Sequence, residues 1–357
     1  MRSRRLAICV CPNGLGHYRR AALLCQALLG RFPDLRIDVA CSLRQKEAIP
    51  FEAGAAVRFH HGVMDPGVEW LADPGLYDEE RLSGWIRRLA AWPELPRADL
   101  VLSDNLAGTL EVRPDAVLSG SFLWSGVLSA GHRDHPGVLA FARRERELLR
   151  RLRPAMLCNA DAAMPDLTEF TRPVPTGWMC RRPRMPERRR AGGRGKVAVL
   201  GGAVQILFPT LVEAARRLAG EGNWVVAAGR DLLDRLPGPI KTNIIRFDFS
   251  ESDFTGCIAV VGRPGLGLMT DCVDYGIPMI AIHEPGNAEM EHLGARVQAL
   301  GFGRNLGARP SGDEIVAALR ELERESESRS IRSRMASRNR DGVRESLEWI
   351  ASRLRRP

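Results

Sequence analysis

Two stretches of this chain combine residue types and spacings that could do chemistry. The first is Gly14-Leu15-Gly16-His17-Tyr18-Arg19-Arg20. It follows a short apolar strand, Leu6 to Cys11, and a turn from Pro12 to Gly16, and it opens a helix with Leu23, Leu24, Ala27 and Leu28 on helical spacing. A histidine titrates near neutrality, so one at a glycine turn after a strand is placed to take up a proton. The same position also suits a histidine that only caps or packs the helix start. The second stretch runs from Val260 to Glu289. An apolar strand, Cys257 to Val261, passes through Gly262, Arg263, Pro264, Gly265 and Gly267 into a helix. A further turn, Gly276-Ile277-Pro278, then leads to the strand Met279 to Ile282. Such a turn points unpaired backbone N–H groups at one spot, where the helix dipole favours an anion, phosphate foremost. An ordinary strand–turn–helix crossover without a ligand has the same pattern.

Other polar residues have plainer readings beside the chemical ones. His132-Arg133-Asp134-His135 carries no further ligand set and reads as surface or as a loop beside a binding pocket rather than a metal site. His60-His61 is weaker still. Eight cysteines lie mostly within apolar segments, without a C-x-x-C pair, and read as buried free thiols. Cys9 and Cys11 would share one strand face. Asp38 follows Gly16 at a distance that suits a ribose contact in a dinucleotide fold. However, the third glycine of that fingerprint would fall at Arg19, where close packing needs a small residue.

The elements that must position these residues alternate strand and helix. In the first half, strands are expected at Leu6 to Cys11, Arg36 to Ala40, Val57 to His60, Asp99 to Ser103, Ala116 to Leu118 and Met156 to Cys158, with helices at Glu79 to Ala91 and Gly137 to Leu152. Residues 172–195, rich in proline, glycine and arginine, read as a linker. The alternation then restarts with Lys196 to Leu200, the Gly201-Gly202 turn, a helix from Thr210 to Ala219, and strands at Trp224 to Ala228 and Ile244 to Phe249. Helices follow at Glu289 to Leu300, Ser311 to Glu323 and Val343 to Leu354, with a charged helix or loop at Arg324 to Asn339. The expectation is an α/β protein of two doubly wound, Rossmann-like domains facing each other across a cleft. They would span 1–171 and 196–340, and residues 341–357 would return to the first.

The chain has 357 residues, 45% of them hydrophobic and 27% charged, which suits an ordinary globular protein of two domains. The apolar run after MRSRR is too short for a secretory signal, and no run is long enough to span a membrane, so a cytoplasmic protein is expected. The net charge of +9 is nearly all arginine, since the only lysines are Lys46, Lys196 and Lys241. The basic clusters at 143–153, at 181–190 and in the tail lack interleaved aromatics, which argues against nucleic acid and makes solvated faces the default. The helix at 143–153 would also suit a phosphorylated acceptor or peripheral contact with an anionic inner membrane face.

Taken together, the two glycine stretches resemble GT-B glycosyltransferases that use nucleotide-sugar donors without a bound metal, in particular the family 1 and family 28-like UDP-glycosyltransferases. Gly14 to Arg20 is similar to their G-x-G-H-x-x-R opening. Gly265-Leu266-Gly267-Leu268-Met269-Thr270-Asp271, with Gly276-x-Pro278, resembles their G-x-G-[T/S]-x-x-E-x-x-x-x-G-x-P donor pattern with identical gaps. Asp271 stands where Glu is usual, Leu268 where a hydroxyl residue is usual, and Met290 where Gln is usual. The resemblance implies an inverting transferase moving a hexosyl or N-acetylhexosaminyl group from a nucleoside-diphosphate sugar, foremost a UDP-sugar, to an acceptor hydroxyl of unspecified identity. The nucleotide sugar is a co-substrate, and no cofactor or metal is implied. His17 would be the base, with Asp104, at the end of another first-half strand, on the ring's other nitrogen; a turn or helix cap is the plain role for Asp104. Gly14, Gly16, Gly201, Gly202, Gly265, Gly267, Leu268, Met269 and Thr270 would line the donor. Asp271 would bond its ribose and Glu289 its sugar. Trp124 lies in a segment resembling the acceptor wall, or is a core aromatic, and Arg20 reads as a surface ion pair in preference to a phosphate ligand. A nucleotide-sugar hydrolase or epimerase, or a binding protein that has lost turnover, is compatible with the same motifs.

Overall fold

Alternating strands and helices build two parallel sheets, each in its own compact unit: Met1–Met179 with Asp341–Pro357, and Cys180–Arg340. The computed structural model describes residues 4–49, 54–64, 79–182, 184–186, 194–201, 205–237 and 242–354. The first sheet comprises β1 (Arg5–Val10), β2 (Arg36–Ala40), β3 (Val57–His60), β4 (Leu100–Asp104), β5 (Val117–Ser119), β6 (Ala155–Asn159) and β7 (Arg172–Thr176) in the order β3-β2-β1-β4-β5-β6-β7. The second comprises β8 (Gly195–Leu200), β9 (Trp224–Ala228), β10 (Ile244–Arg246), β11 (Cys257–Gly262), β12 (Met279–Ile282) and β13 (Gly303–Gly307) in the order β10-β9-β8-β11-β12-β13. In both, chain order reverses beside the first strand, between β1 and β4 and between β8 and β11. Open α/β sheets bind ligands outside the carboxyl ends of the strands at such a point.

Strand pleating explains why β1 is apolar from Leu6 onward. Ala7, Cys9 and Cys11 face one core layer, which holds Trp85, Leu110 and Met156. Leu6, Ile8 and Val10 face the other, which holds Leu24, Leu28 and Leu35. A strand buried on both sides has no solvent face to mark with polar residues. All eight cysteines are free and buried, and burial pushes the Cys9 and Cys25 thiols up to about 12. The helix Leu15–Arg31 buries Tyr18, Ala21, Leu24, Cys25 and Leu28, one stripe at helical spacing. Ile350 and Leu354 of the terminal helix Gly342–Leu354 join the same core layer.

One boundary differs from the expected linker at 172–195, because residues 172–176 form β7. Two prolines in five residues do not read as a strand, yet β7 is an edge and pairs only with β6. Pro173 and Pro175 share one parity, so their missing N–H groups fall on the open side. The N–H of Arg172 meets the Pro154 carbonyl at 2.8 Å on the paired side. The charged stretch after Arg324 is a helix, Glu325–Ala336.

A close backbone approach lies at the β8/β11 switch point. Gly262 pairs with Leu200, and a Cβ on Gly262 would stand 2.1 Å from the Leu200 carbonyl oxygen. Neither strand can give way without breaking the ladder, so overpacking of about 1–3 kcal/mol is expected for Gly262→Ala. Urea unfolding followed by probes in the second unit should show a lower midpoint. A midpoint equal to that of the wild type would contradict this close approach.

Candidate active site

β1 and β4 are adjacent and in register, with Val10 opposite Asp104, so the turn after β1 and the end of β4 lie side by side. The helix after that turn has Gly14 at its N-cap, at φ 99° and ψ 160°, a conformation open to glycine. His17 stands in the first helical turn and reaches back over the sheet edge. Its Nδ1 is 2.9 Å from Asp104 Oδ2, across 87 residues of sequence. Arg20, one turn further along the helix, donates from Nη2 to both Asp104 oxygens at 3.1 and 3.3 Å. The Ser119 hydroxyl of β5 donates to Oδ1 at 3.3 Å. The His17 and Phe122 rings make a T-shaped pair at 6.5 Å, and Phe122 in turn makes one with Trp124 at 5.0 Å.

These contacts fix the protonation pattern. Asp104 is 3% exposed. Burial alone would raise its pKa, but the charge of Arg20, then that of His17 and the hydrogen bonds from both, hold the carboxyl below its ordinary value. An ionised carboxylate only accepts hydrogen bonds, so the 2.9 Å contact requires a proton on His17 Nδ1. Arg20 Nη2 also lies 3.0 Å from that nitrogen. With Nδ1 protonated, the acceptors for Arg20 are the two carboxylate oxygens. In the neutral ring Nε2 then carries the lone pair, and the arrangement can present an oriented proton acceptor.

Arg20 therefore departs from the expected surface ion pair: its side chain is 15% exposed and serves the Asp104 carboxylate. Its i, i+3 spacing from His17 was the available signal. Ser119 carried none, being set by the β4–β5 register. The turn after β4 is shaped by Asn105, at φ 55°, whose amide donates to the Phe122 carbonyl at 3.2 Å. Its oxygen occupies the space a Cβ on Gly120 would fill. Trp124 belongs to the core layer behind this turn.

In the second unit, the helix Leu266–Tyr275 starts at Gly265 without a side-chain cap. Met269 N–H already bonds the Gly265 carbonyl at 3.0 Å, while helix geometry leaves the N–H groups of Leu266, Gly267 and Leu268 outside the ladder. A Cβ on Gly265 would meet nothing within 4 Å, so this face is open. Arg263 stands at the turn and forks onto Glu284 after β12, with contacts of 2.7 to 3.1 Å. Burial would raise the Glu284 pKa, but the Arg263 fork outweighs it and holds the carboxyl low; the Asn287 amide also donates to it, at 2.7 Å.

The other residues expected at the donor are placed differently from one another. Gly267, Leu268 and Glu289 are partly exposed, and Gly201 packs against Leu211 at the end of β8. Met269 offers a ligand nothing here, since its side chain is in the core and its N–H is taken. Thr270 bonds back to the Leu266 carbonyl at 2.7 Å, and Asp271 is 4% exposed. Gly202 lies outside the described residues, as do 187–190 of the second basic cluster.

Among the described residues, one group has metal-ligand spacing: Asp38, His60 and Glu94. Asp38 is already met at Oδ1 by His60 Nε2 at 3.0 Å and by Arg58 Nε at 3.5 Å. The same contacts remove Asp38 as a ribose ligand. His135 caps the helix Pro136–Leu152 by accepting from Val138 N–H. On that helix Arg144 pairs with Glu79 and Glu111, and Arg150 with Glu169, so part of the basic face is neutralised internally. No described helix is long and apolar enough to cross a membrane.

No protein-family model matches the sequence, and no curated protein matches it either. Solved structures do match, along the whole chain. The chain is similar to the glycotransferase of kitacinnamycin, at 18% identity, covering 99% of this chain and 100% of that one, with a TM-score of 0.71. It is similar to Medicago truncatula UGT71G1, complexed with UDP-glucose, at 14% identity, 99% and 98% coverage and a TM-score of 0.69. It is also similar to the glycosyltransferase VinC, in complex with DTDP, at 15% identity, 99% and 100% coverage and a TM-score of 0.62. The two parallel sheets, their strand orders and these full-length matches assign the chain the GT-B glycosyltransferase fold.

Proposed function

We propose that the chain is an inverting glycosyltransferase, with a nucleoside-diphosphate sugar as donor and an acceptor hydroxyl as nucleophile. The observation that carries this reading is the His17–Asp104–Arg20 triad, which leaves His17 Nε2 as a proton acceptor at the β1/β4 switch point. In the proposed step the acceptor hydroxyl loses its proton to Nε2 while its oxygen bonds the anomeric carbon. The bond from that carbon to the diphosphate breaks, and its electron pair leaves with the nucleoside diphosphate. Asp104 stabilises the imidazolium that results.

The leaving diphosphate needs positive potential. We assign this to the uncapped start of the Leu266–Tyr275 helix. Gly265, Gly267 and Leu268 would give backbone N–H groups, and Glu289 would meet the sugar. The ligands of the similar structures, UDP-glucose and DTDP, support a uridine or thymidine diphosphate, and we take UDP first. The proposed reaction draws on no metal, so EDTA should leave turnover unchanged.

Release of nucleoside diphosphate from UDP-glucose, UDP-N-acetylglucosamine and dTDP-glucose, with and without an acceptor panel, tests the reading. Acceptor-dependent release supports a transferase. Release without acceptor would indicate a hydrolase, and tight binding without release a protein that has lost turnover. His17→Ala should lower kcat by at least about 100-fold. A loss smaller than tenfold would remove His17 from the base role. Asp104→Asn should cost on the order of 100-fold or more, because the amide no longer selects the Nδ1–H tautomer.

The Asp104 carboxyl also makes a pH prediction. A carboxyl held low when folded stabilises the fold fully above its unfolded pKa, about 4. That stability is lost as pH falls through the lower folded value. Thermal unfolding of the first unit should steepen in pH dependence below about pH 4, and Asp104→Asn should flatten the curve there. An unchanged curve in that variant would show that Asp104 is not held low.

A further inference from the structure

We propose that Gln45 is a positioning residue for His17, a clamp on the turn that carries it; the proposal rests on His17 as the base. Gln45 lies at the third position of the helix Leu43–Ala48 and is 1% exposed. With Ser42 it forms a capping box: Oε1 accepts from Ser42 N–H at 3.1 Å, and the Ser42 hydroxyl accepts from Gln45 N–H at 3.2 Å. A helix cap asks no more of this side chain, and Glu fills the role as well as Gln.

The amide does more than a cap requires. With Oε1 facing Ser42 N–H, Nε2 faces the turn after β1. Its hydrogens meet the Cys11 carbonyl at 2.8 Å and the Gly14 carbonyl at 2.9 Å. Both partners are acceptors, so the amide orientation is fixed, and the two donors and the oxygen are all engaged. The bonded carbonyls stand at the two ends of the turn Cys11–Pro12–Asn13–Gly14. Gly14 closes that turn through its N–H to the Pro12 carbonyl at 3.0 Å.

This turn decides where the His17 ring stands. Gly14 has no side chain to hold it, its φ of 99° lies where only glycine is at ease, and the helix it starts has no side-chain cap. Nothing within 4 Å would meet a Cβ on Gly14, so packing does not pin it. The clamp supplies the restraint from the neighbouring helix. A displacement of the base by about 1 Å costs on the order of 100-fold in rate, even when the altered residue is remote from the chemistry.

Gln45→Glu separates the clamp from the cap, because a carboxylate still accepts from Ser42 N–H but turns an oxygen toward two carbonyls. Gln45→Met removes both functions at similar length. The first readout needs no substrate: imidazole ¹⁵N resonances of His17 in the full chain, with His17→Ala for assignment. Both variants should shift or broaden these resonances relative to wild type. With the donor and acceptor that turn over in the panel, Gln45→Glu should lower kcat about 10- to 100-fold, with donor KM within twofold. The ratio of its kcat to that of wild type should rise as pH falls, since the protonated carboxyl regains one donor. Wild-type resonances and kcat in folded Gln45→Glu, beside an inactive His17→Ala, would overturn the clamp and leave the base in place. A fully active His17→Ala would overturn the base, and the clamp's bearing on catalysis with it.

Discussion

The candidate site depends on one buried negative charge. Asp104 sits at the end of a central strand, closed off from water, where an isolated carboxylate would take up a proton. Protonated, it would no longer require the Nδ1–H tautomer of His17, and the lone pair on Nε2 would lose its definition. Arg20 prevents this. Its guanidinium meets both oxygens and is itself mostly buried, so the pair is strengthened by the low-polarity surroundings that make it costly to form. The arrangement also ties chemistry to strand register. Val10 lies opposite Asp104; a slip of one residue along β4 would send the carboxylate to the other face of the sheet and leave Arg20 and His17 without it.

The two units solve one topological problem and put it to opposite electrostatic uses. In each, the sheet reverses order beside its first strand and leaves a gap at the carboxyl edge. In the first unit the gap is filled by side chains from three elements, which converge on a proton acceptor. In the second it is left open: Gly262 lets β8 and β11 approach, Gly265 presents no side chain, and the helix start keeps its N–H groups uncapped. One edge supplies an oriented lone pair and the other supplies uncommitted donors. In the proposed reaction, a proton acceptor and an anion site are the two demands of displacing a diphosphate by a hydroxyl.

What the sequence makes legible follows from how local each signal is. The sheets come from apolar runs and glycine turns, and the His17 turn and the Gly265 helix start are each contained within a few residues. The Asp104 partnership spans 87 residues and is reached only through resemblance, while Arg20, three residues from His17, is legible in spacing but not in burial. Gln45 is 31 residues from Gly14 and carries no local signal of a bond to that turn until the fold brings it there. β7 is hidden for a different reason: two prolines are a strand signal only for an edge whose N–H side is known. The resemblance likewise puts Met269 at the donor, whereas the helical phase turns its side chain into the core. Backbone motifs show where a helix begins, but the tertiary neighbours decide which of its side chains a ligand could meet.

The arginine excess takes on a structural meaning at the far end of the second unit's helix. Leu266–Tyr275 finishes at Gly276, in the left-handed conformation that ends helices. Its last carbonyls are met by arginines. Arg340, 8% exposed, donates to the carbonyls of Val273 and Asp274 at 2.6 and 3.2 Å and to the Asp274 carboxylate at 3.1 Å. Arg332 donates to the Tyr275 carbonyl at 3.0 Å. A lysine could reach one of these oxygens, but the planar fork of arginine serves several at fixed angles. The negative end of this helix is thus compensated inside the protein, while its positive end at Gly265 has no side-chain cap. With one end satisfied and the other exposed, the helix has an unmet preference for negative charge at its start. Part of the arginine excess is thus spent inside the fold, on the negative end of a helix whose start favours an anion.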